Sequence, residues 1–384
     1  MHNRFIYKQP IIASGFMRES DNKSQSDKRK ITKRHAIKAV GGTIGGVAFP
    51  FGQATATMTG EYNGEGTLVT VPRSEALTPQ EVFNIQNDVI AKFRSNNDLS
   101  QKLKIGLFQP ADKYEIHALS FRVDGDGQVS VYMGGSSVEK PTSKGEVATL
   151  HKTAKDHAEK VRDGVQSKRV NHEHMTGVVS AGYATGWDQM VAEYAFENTD
   201  CPAGKIYAGG EVYEKQGTSY YGYGVDTSHR TNPGQNYCSN SGYNVNDTYL
   251  RHEWDAFTAD SDPIFHEHFP NTDRDGSFTV DGSASYGGAT IGVSYNPPDV
   301  YRDVRSEYNG TNNAEWDWDY TWDPSTDTQH NTTSILKSDN EAAYGGSVSY
   351  TDTLLRVESG ANFTDHTGGN TLVDVRGLVK AQTN

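Results

Sequence analysis

Two triplets, His172-Glu173-His174 and His266-Glu267-His268, are the residues whose types and spacing most directly suggest chemistry. On a strand, residues i and i+2 face one side, so each triplet presents two imidazoles to one ion and turns its glutamate away. His229 and His252 lie between the triplets and could complete a shell. Imidazole ligands suit zinc, copper or nickel. The plainer reading is a set of solvent-facing loop histidines. Phe265 and Phe269 flank the second triplet and favour an ordered site there, whereas the first falls in the expected interdomain linker.

A second pattern copies the first half of a calcium loop. Asn271, Asp273 and Asp275 place oxygen ligands at alternate positions before Gly276, where such loops turn sharply. The closing bidentate glutamate is replaced by Gly282, with Asp281 beside it. Asp-Gly turns without any ion read the same way, and Asp124 and Asp126 are a stronger case of this. The cofactors these motifs would imply are calcium or a transition metal. A third pattern is the run Trp316, Trp318, Tyr320 and Trp322, which period two puts on one face with acids on the other. Exposed, that face would stack on sugars; buried, it is the inner side of a sandwich strand, which is the reading that alternation favours. The chain has no Gly-x-Ser-x-Gly elbow, no Walker loop, no dinucleotide fingerprint and no His-Glu-x-x-His pair.

The elements that must position these residues differ along the chain. Thr78-Pro79-Gln80-Glu81 is a capping box, and Val82, Ile85, Val89 and Phe93 follow at helical spacing, which predicts a helix over 79–94. Alternation from Ile116 to Val123, the turn Asp124-Gly125-Asp126-Gly127 and renewed alternation through Val129, Val131 and Met133 predict a hairpin. Ser143 and Glu146 form a second capping box before Val147, Leu150, Ala154, Ala158, Val161 and Val165. Residues 57–170 therefore read as a small α+β domain. Residues 171–384 show short alternating stretches separated by Gly, Asn, Asp and Pro, and read as an all-β, sandwich-like antiparallel domain.

Charge narrows the partners. The chain has 36 Lys and Arg against 49 Asp and Glu, and residues 1–56 hold ten of the former and three of the latter. The remainder carries 26 against 46, a field that repels nucleic acid and disfavours an anionic membrane surface. The acids are spread along the chain, as on proteins that live in near-saturated salt. Cys201 and Cys238 are the two cysteines, and in an exported protein they can pair.

Residues 1–56 read as an address. A basic stretch including Lys33 and Arg34 precedes a small-residue run from Ala39 to Gly52, and Ala54 and Ala56 form an Ala-x-Ala cleavage site. Thr32-Lys33-Arg34-His35-Ala36-Ile37-Lys38 resembles the twin-arginine export signal of haloarchaeal proteins, with Lys33 in place of the first arginine. The resemblance covers this segment alone and implies export of a folded protein by the twin-arginine machinery, with an extracellular destination. The general secretory route is the alternative. Translation could begin at Met1 or Met17, and 57–170 could be a lasting domain or a removed pro-segment. Asn246, Asn309, Asn331 and Asn362 head Asn-x-Ser/Thr sequons and are glycosylation candidates.

Three functions follow as expectations. The first is a non-enzymatic extracellular binding module for glycans or cell-surface proteins. The second is a secreted metal-dependent hydrolase using the His-x-His ligands. The third is a released antimicrobial or toxin-like protein. No stable membrane insertion is expected, because the β stretches carry Asp on their polar faces.

Overall fold

The computed structural model describes residues 57–62, 66–96, 105–125, 127–139, 142–162, 183–216, 221–238, 242–254, 264–269, 280–286, 289–295, 301–307, 312–320, 325, 327–338 and 351–382. The chain divides into Met1–Thr55 and Ala56–Asn384. The export segment, including Lys33, Arg34, Ala54 and Ala56, lies outside the described residues. So do Val165, His172, His174, Asn271, Asp273, Asp275, Asn309 and Trp322.

Ala56–Asn384 is mostly β structure, and its sheets are antiparallel but for one strand pair. The first region supplies β1 (Thr57–Tyr62), β2 (Gly66–Thr70), β3 (Ile105–Pro110), β4 (Tyr114–Val123) and β5 (Val129–Ser137). Its helices are α1 (Pro79–Asn96) and α2 (Lys144–Arg162). Both capping boxes form: Glu81 N donates to Thr78 Oγ1 at 3.2 Å and Thr78 N to Glu81 Oε2 at 2.8 Å, and Ser143 and Glu146 repeat the exchange. Each satisfies amides that a helix start leaves without partners. The β4–β5 turn closes where Gln128 N donates to Asp124 Oδ1 at 2.8 Å, with Gly127 at a φ of 80° that a side chain would disfavour. Asp124 is thus a turn residue.

Strands β6 (Tyr183–Thr185), β7 (Gln189–Asp200), β8 (Gly204–Gln216), β9 (Tyr221–Pro233) and β10 (Asn244–Glu253) follow, with a short α3 (Gly234–Tyr237) after β9. Next are β11 (Ile264–Phe269), β12 (Val280–Tyr286), β13 (Ala289–Tyr295), β14 (Tyr301–Glu307), β15 (Asn313–Tyr320), β16 (Thr328–Ser338), β17 (Thr351–Thr364) and β18 (Asn370–Gln382). One sheet runs β1-β2-β4-β5-β7-β8-β9-β16-β11, a second β14-β15-β10-β17-β18-β3, and a third, of three strands, β12-β13-β6.

The first two sheets meet face to face. In β18 the alternation Val373, Val375, Val379, Ala381 is buried, as period two requires of a half-covered strand. At one end of the interlayer Phe108 stacks on Tyr194 with centroids 5.0 Å apart, and Phe196 lies edge-on to Phe108 and Tyr114. β5 pairs in parallel with β7, and β3 pairs with β18, so both regions build the same two sheets. The physical reason is that the first region's strands have open edges, and strands from the second region satisfy them.

Candidate functional site: a docked hairpin and the histidines behind it

Strands β9 and β16 lie side by side, with His229 paired to His330 and Thr227 to Thr332. Their inward face carries the densest set of polar aromatic contacts in the interlayer. His252, on β10, places Nε2 2.8 Å from Thr227 Oγ1 and Nδ1 2.9 Å from Ser334 Oγ. Thr227 also meets the Tyr194 hydroxyl at 2.8 Å, and Ser334 accepts from Trp254 Nε1 at 2.8 Å. His229 Nδ1 is bonded to Ser359 Oγ. His330 Nε2 meets the Tyr320 hydroxyl at 2.7 Å, and its ring stacks on Trp318 with centroids 4.1 Å apart. His229, His252 and His330 are fully buried. Burial holds His229 and His252 down to about 3 from 6.5, with the nearby His268 adding to the shift at His252. His330 is held low by burial and then by His229. All three rings are neutral at pH 7, each placed against hydroxyls that suit a neutral imidazole.

The outward face of the same two strands is covered differently. The hairpin β12–β13 and the short β6 form a sheet of their own, and the hairpin packs on β9 and β16. Ala289 and Ile291 are buried there. Gly224 of β9 lies so near Ile291 Cδ1 and the Trp187 ring that a Cβ would collide with both. Trp187 Nε1 donates to the Thr290 carbonyl at 3.1 Å. Period two and the register place Asp226, Ser228, Asn331, Thr333 and Ile335 on the same side as Gly224, and all five are buried. The buried side chains on this face of the two strands are therefore polar but for Ile335.

Further along this face, the register aligns Glu193 of β7, Glu211 of β8 and Asp226 of β9 in one row. Glu211 N donates to Asp226 Oδ1 at 2.8 Å. Burial, then the charges of Glu211 and Asp226, push the Glu193 carboxyl up to about 8. Three neighbouring carboxylates under cover cannot all ionise, and Glu193 keeps its proton.

The residues singled out by sequence fall as follows. His266 and His268 are both on β11, but the register shifts between Phe265 and Glu267. A bulge spoils the period-two rule. His266 is exposed, while the His268 ring lies edge-on to Trp316 at 6.0 Å, so the two do not converge as a strand pair would. His229 and His252 are engaged by hydroxyls rather than gathered with the triplet. Among the described residues no group of three or more His, Cys, Asp or Glu is placed to hold a metal ion. Asp281 is on β12. Trp316 and Trp318 are fully buried and Tyr320 nearly so; the sugar platform is a core strand, because its apolar side closes the interlayer. Cys201 and Cys238 form a disulfide. Asn331 is buried on the outward face of β16. Asn246 and Asn362 both donate their amide nitrogens to Asp247, each at 2.7 Å. His330 carried no motif, since only the packing of the two sheets brings it to Tyr320 and Trp318.

No family model matches the chain, and no curated protein does. Among solved structures, the NetB toxin of Clostridium perfringens in its membrane-inserted form aligns at 8% identity and a TM-score of 0.25, covering 53% of this chain and 93% of that one. Clostridium perfringens delta-toxin aligns at 10% identity and a TM-score of 0.28, covering 50% and 84%. A structure described as a pore forming protein aligns at 10% identity and 0.26, covering 54% and 91%. Scores this low do not define the fold of this chain.

Proposed function

We propose that this is an exported, toxin-like protein that acts on membranes, and that the β12–β13 hairpin is the part that enters the bilayer. The observation that carries this reading is the hairpin itself. Its two seven-residue strands, VDGSASY and ATIGVSY, contain one charged residue, Asp281, in a chain with 49 acids. β14, by contrast, holds Arg302, Asp303, Arg305 and Glu307 in the same length. The register pairs Val280 with Tyr295, Gly282 with Val293, Ala284 with Ile291 and Tyr286 with Ala289. That set alternates with Asp281, Ser283, Ser285, Thr290, Gly292 and Ser294, so one face is apolar and the other small and polar.

A strand that spans a bilayer needs about 9–11 residues, alternating outward apolar and inward polar, with aromatics at both interfaces. The alternation continues in sequence back to Phe278, and Tyr286 at the tip and Phe278 and Tyr295 at the base supply the aromatics. One hairpin would leave unpaired backbone in lipid, so several copies must close a barrel. The expectation of no insertion came from Asp-rich polar faces and from net charge. This hairpin departs from the first, and repulsion by an anionic surface is screened within about 3 Å at 1 M salt. The face of β9 and β16 on which the hairpin packs is also largely polar, with Asp226, Ser228, Asn331 and Thr333, so uncovering it costs little.

The test is a polarity-sensitive fluorophore on single cysteines in the hairpin, with lipid vesicles at high salt. Emission is expected to shift to the blue at Gly282→Cys and Ala284→Cys but not at Ser283→Cys or Ser285→Cys, together with release of a trapped dye. Equal response at all four positions, or intact vesicles at every dose, overturns the reading.

A further inference from the structure

β11 is the last strand of the nine-stranded sheet, paired with β16 among the described strands, and it is the strand that precedes the hairpin in the chain. An edge strand with one ladder and a bulge is the easiest part of a sheet to detach. On the side of β11 that faces the second sheet, the His268 ring lies T-shaped to Trp316 with centroids 6.0 Å apart; the same indole meets His252 with centroids 4.9 Å apart. Two imidazoles thus flank one tryptophan, one from the edge strand and one from the buried network.

We propose that His268 and His252, backed by His229 and His330, form an acid-sensitive latch whose protonation drives β11 from the sheet edge and frees the hairpin that follows it. The proposal rests on the reading of that hairpin as the inserting element. A proton on either ring places a charge in a layer built of indoles and hydroxyls, and protons on both place like charges across one tryptophan. Among the described residues, the titratable neighbours on the inward faces are Tyr194 on β7, Tyr223 and His229 on β9, Tyr320 on β15 and His330 on β16. The charged groups of the packed strands are engaged elsewhere. Arg251 pairs with Glu315, Arg356 with Glu253 and Arg376 with Glu358, and Asp247 takes Asn246 and Asn362. Strand parity puts these groups, with Asp317 and Asp319, on the far side of the six-stranded sheet. Glu193, Glu211 and Asp226 occupy the outward face of the nine-stranded one.

The experiment uses the full, disulfide-intact chain at constant high salt and two readouts. Amide exchange over Ile264–Phe269, corrected for intrinsic rate and taken without membranes, reads the latch; dye release from vesicles reads insertion. Between pH 7 and 5 the protection of β11 is expected to fall by about tenfold or more, the gain from protonating a ring held as far below its free value as His252, while α2 stays protected. His268→Gln should move the midpoint to lower pH, and His268→Lys, charged throughout, should leave β11 open at pH 7. Loss of β11 and α2 protection together, or an unmoved midpoint in His268→Gln, overturns the latch. If β11 opens with acid and vesicles stay intact, the membrane reading fails and the latch stands. If vesicles leak at pH 7 with β11 closed, the latch fails and the membrane reading stands.

Discussion

The outward side of the nine-stranded sheet is covered twice, by unlike means. Over β2, β4 and β5 lies α2, whose Leu150, Ala154 and Ala158 join Leu68, Ala118, Tyr132, Ala195 and Tyr207 in one buried apolar cluster. On the β12–β13 side, the hairpin packs on β9 and β16, on the face where Asp226, Ser228, Asn331 and Thr333 are buried. Burying apolar area is worth about 25 cal/mol per Å², whereas covering hydroxyls and amides gains little over leaving them in water. The first cover is therefore part of the stable body, and the second is separable. Polar residues beneath a packed element mark the place where a fold can open at low cost.

The largest effect that would break this contrast is at the two covers themselves. Leu150→Ala should lower the stability of the body by about 2–5 kcal/mol, as large-to-small changes in a packed core do. Ile291→Ala, though Ile291 is as deeply buried, should shift the unfolding of the body by less than about 1 kcal/mol, because the hairpin opens sub-globally. Denaturant unfolding followed by far-UV dichroism separates the two; equal losses would mean that hairpin and body are one cooperative unit.

Next in size is the disulfide. Cys201 opens the β7–β8 turn and Cys238 follows α3, with a sequence separation of 37. Replacing both by serine should cost about 3–4 kcal/mol by releasing loop entropy to the unfolded chain. That loss should fall on the body, with exchange in the hairpin unchanged at pH 7.

The pH dependence sharpens the comparison between the two faces of β9. On the inward face, His229 and His252 stand at about 3 in the fold against 6.5 in the free residue. Their contribution is complete above 6.5 and is lost as pH falls from 6.5 toward 3, since the unfolded chain takes up protons first. On the outward row, Glu193 stands at about 8 against 4.5. Its contribution runs the other way: complete below 4.5, it is lost as pH rises from 4.5 toward 8. Denaturation midpoints across pH 4–9 should show both limbs. His252→Gln should flatten the acid limb, and Glu193→Gln the alkaline one, with a gain in stability that is greater at pH 8 than at pH 5. A single symmetrical optimum left in place by both variants would detach these residues from the pH response.

The smallest expected effect is at a cap. Thr78→Ala removes the hydroxyl that accepts from Glu81 N and should cost about 1 kcal/mol, without effect on either cover.

Local features were legible because local chemistry decides them. The capping boxes at Thr78 and Ser143, the Asp124–Gly127 turn and the alternation of Trp316, Trp318 and Tyr320 each depend on residues within a few positions of one another, and each is where the sequence puts it. The way the strands before residue 170 join those after it was not legible, for the opposite reason. Nothing near β5 announces that its free edge will be taken in parallel by β7. The His266/His268 pair failed on one inserted residue, since a bulge reverses which side chains share a face. The histidine network was out of reach altogether, because His229, His252 and His330 come from three strands whose neighbours are set by sheet order.

The sequence by itself determined that the chain is acidic, rich in short alternating strands, and able to form one disulfide, because composition and periodicity are properties of the chain alone. Only the tertiary structure decided which alternating strands enter the two main sheets and which stay outside them. Period two says that a strand has two unlike faces. What each face meets depends on strands far away in sequence, and that choice set the tryptophans of β15 in the core and left the least charged hairpin on a polar bed.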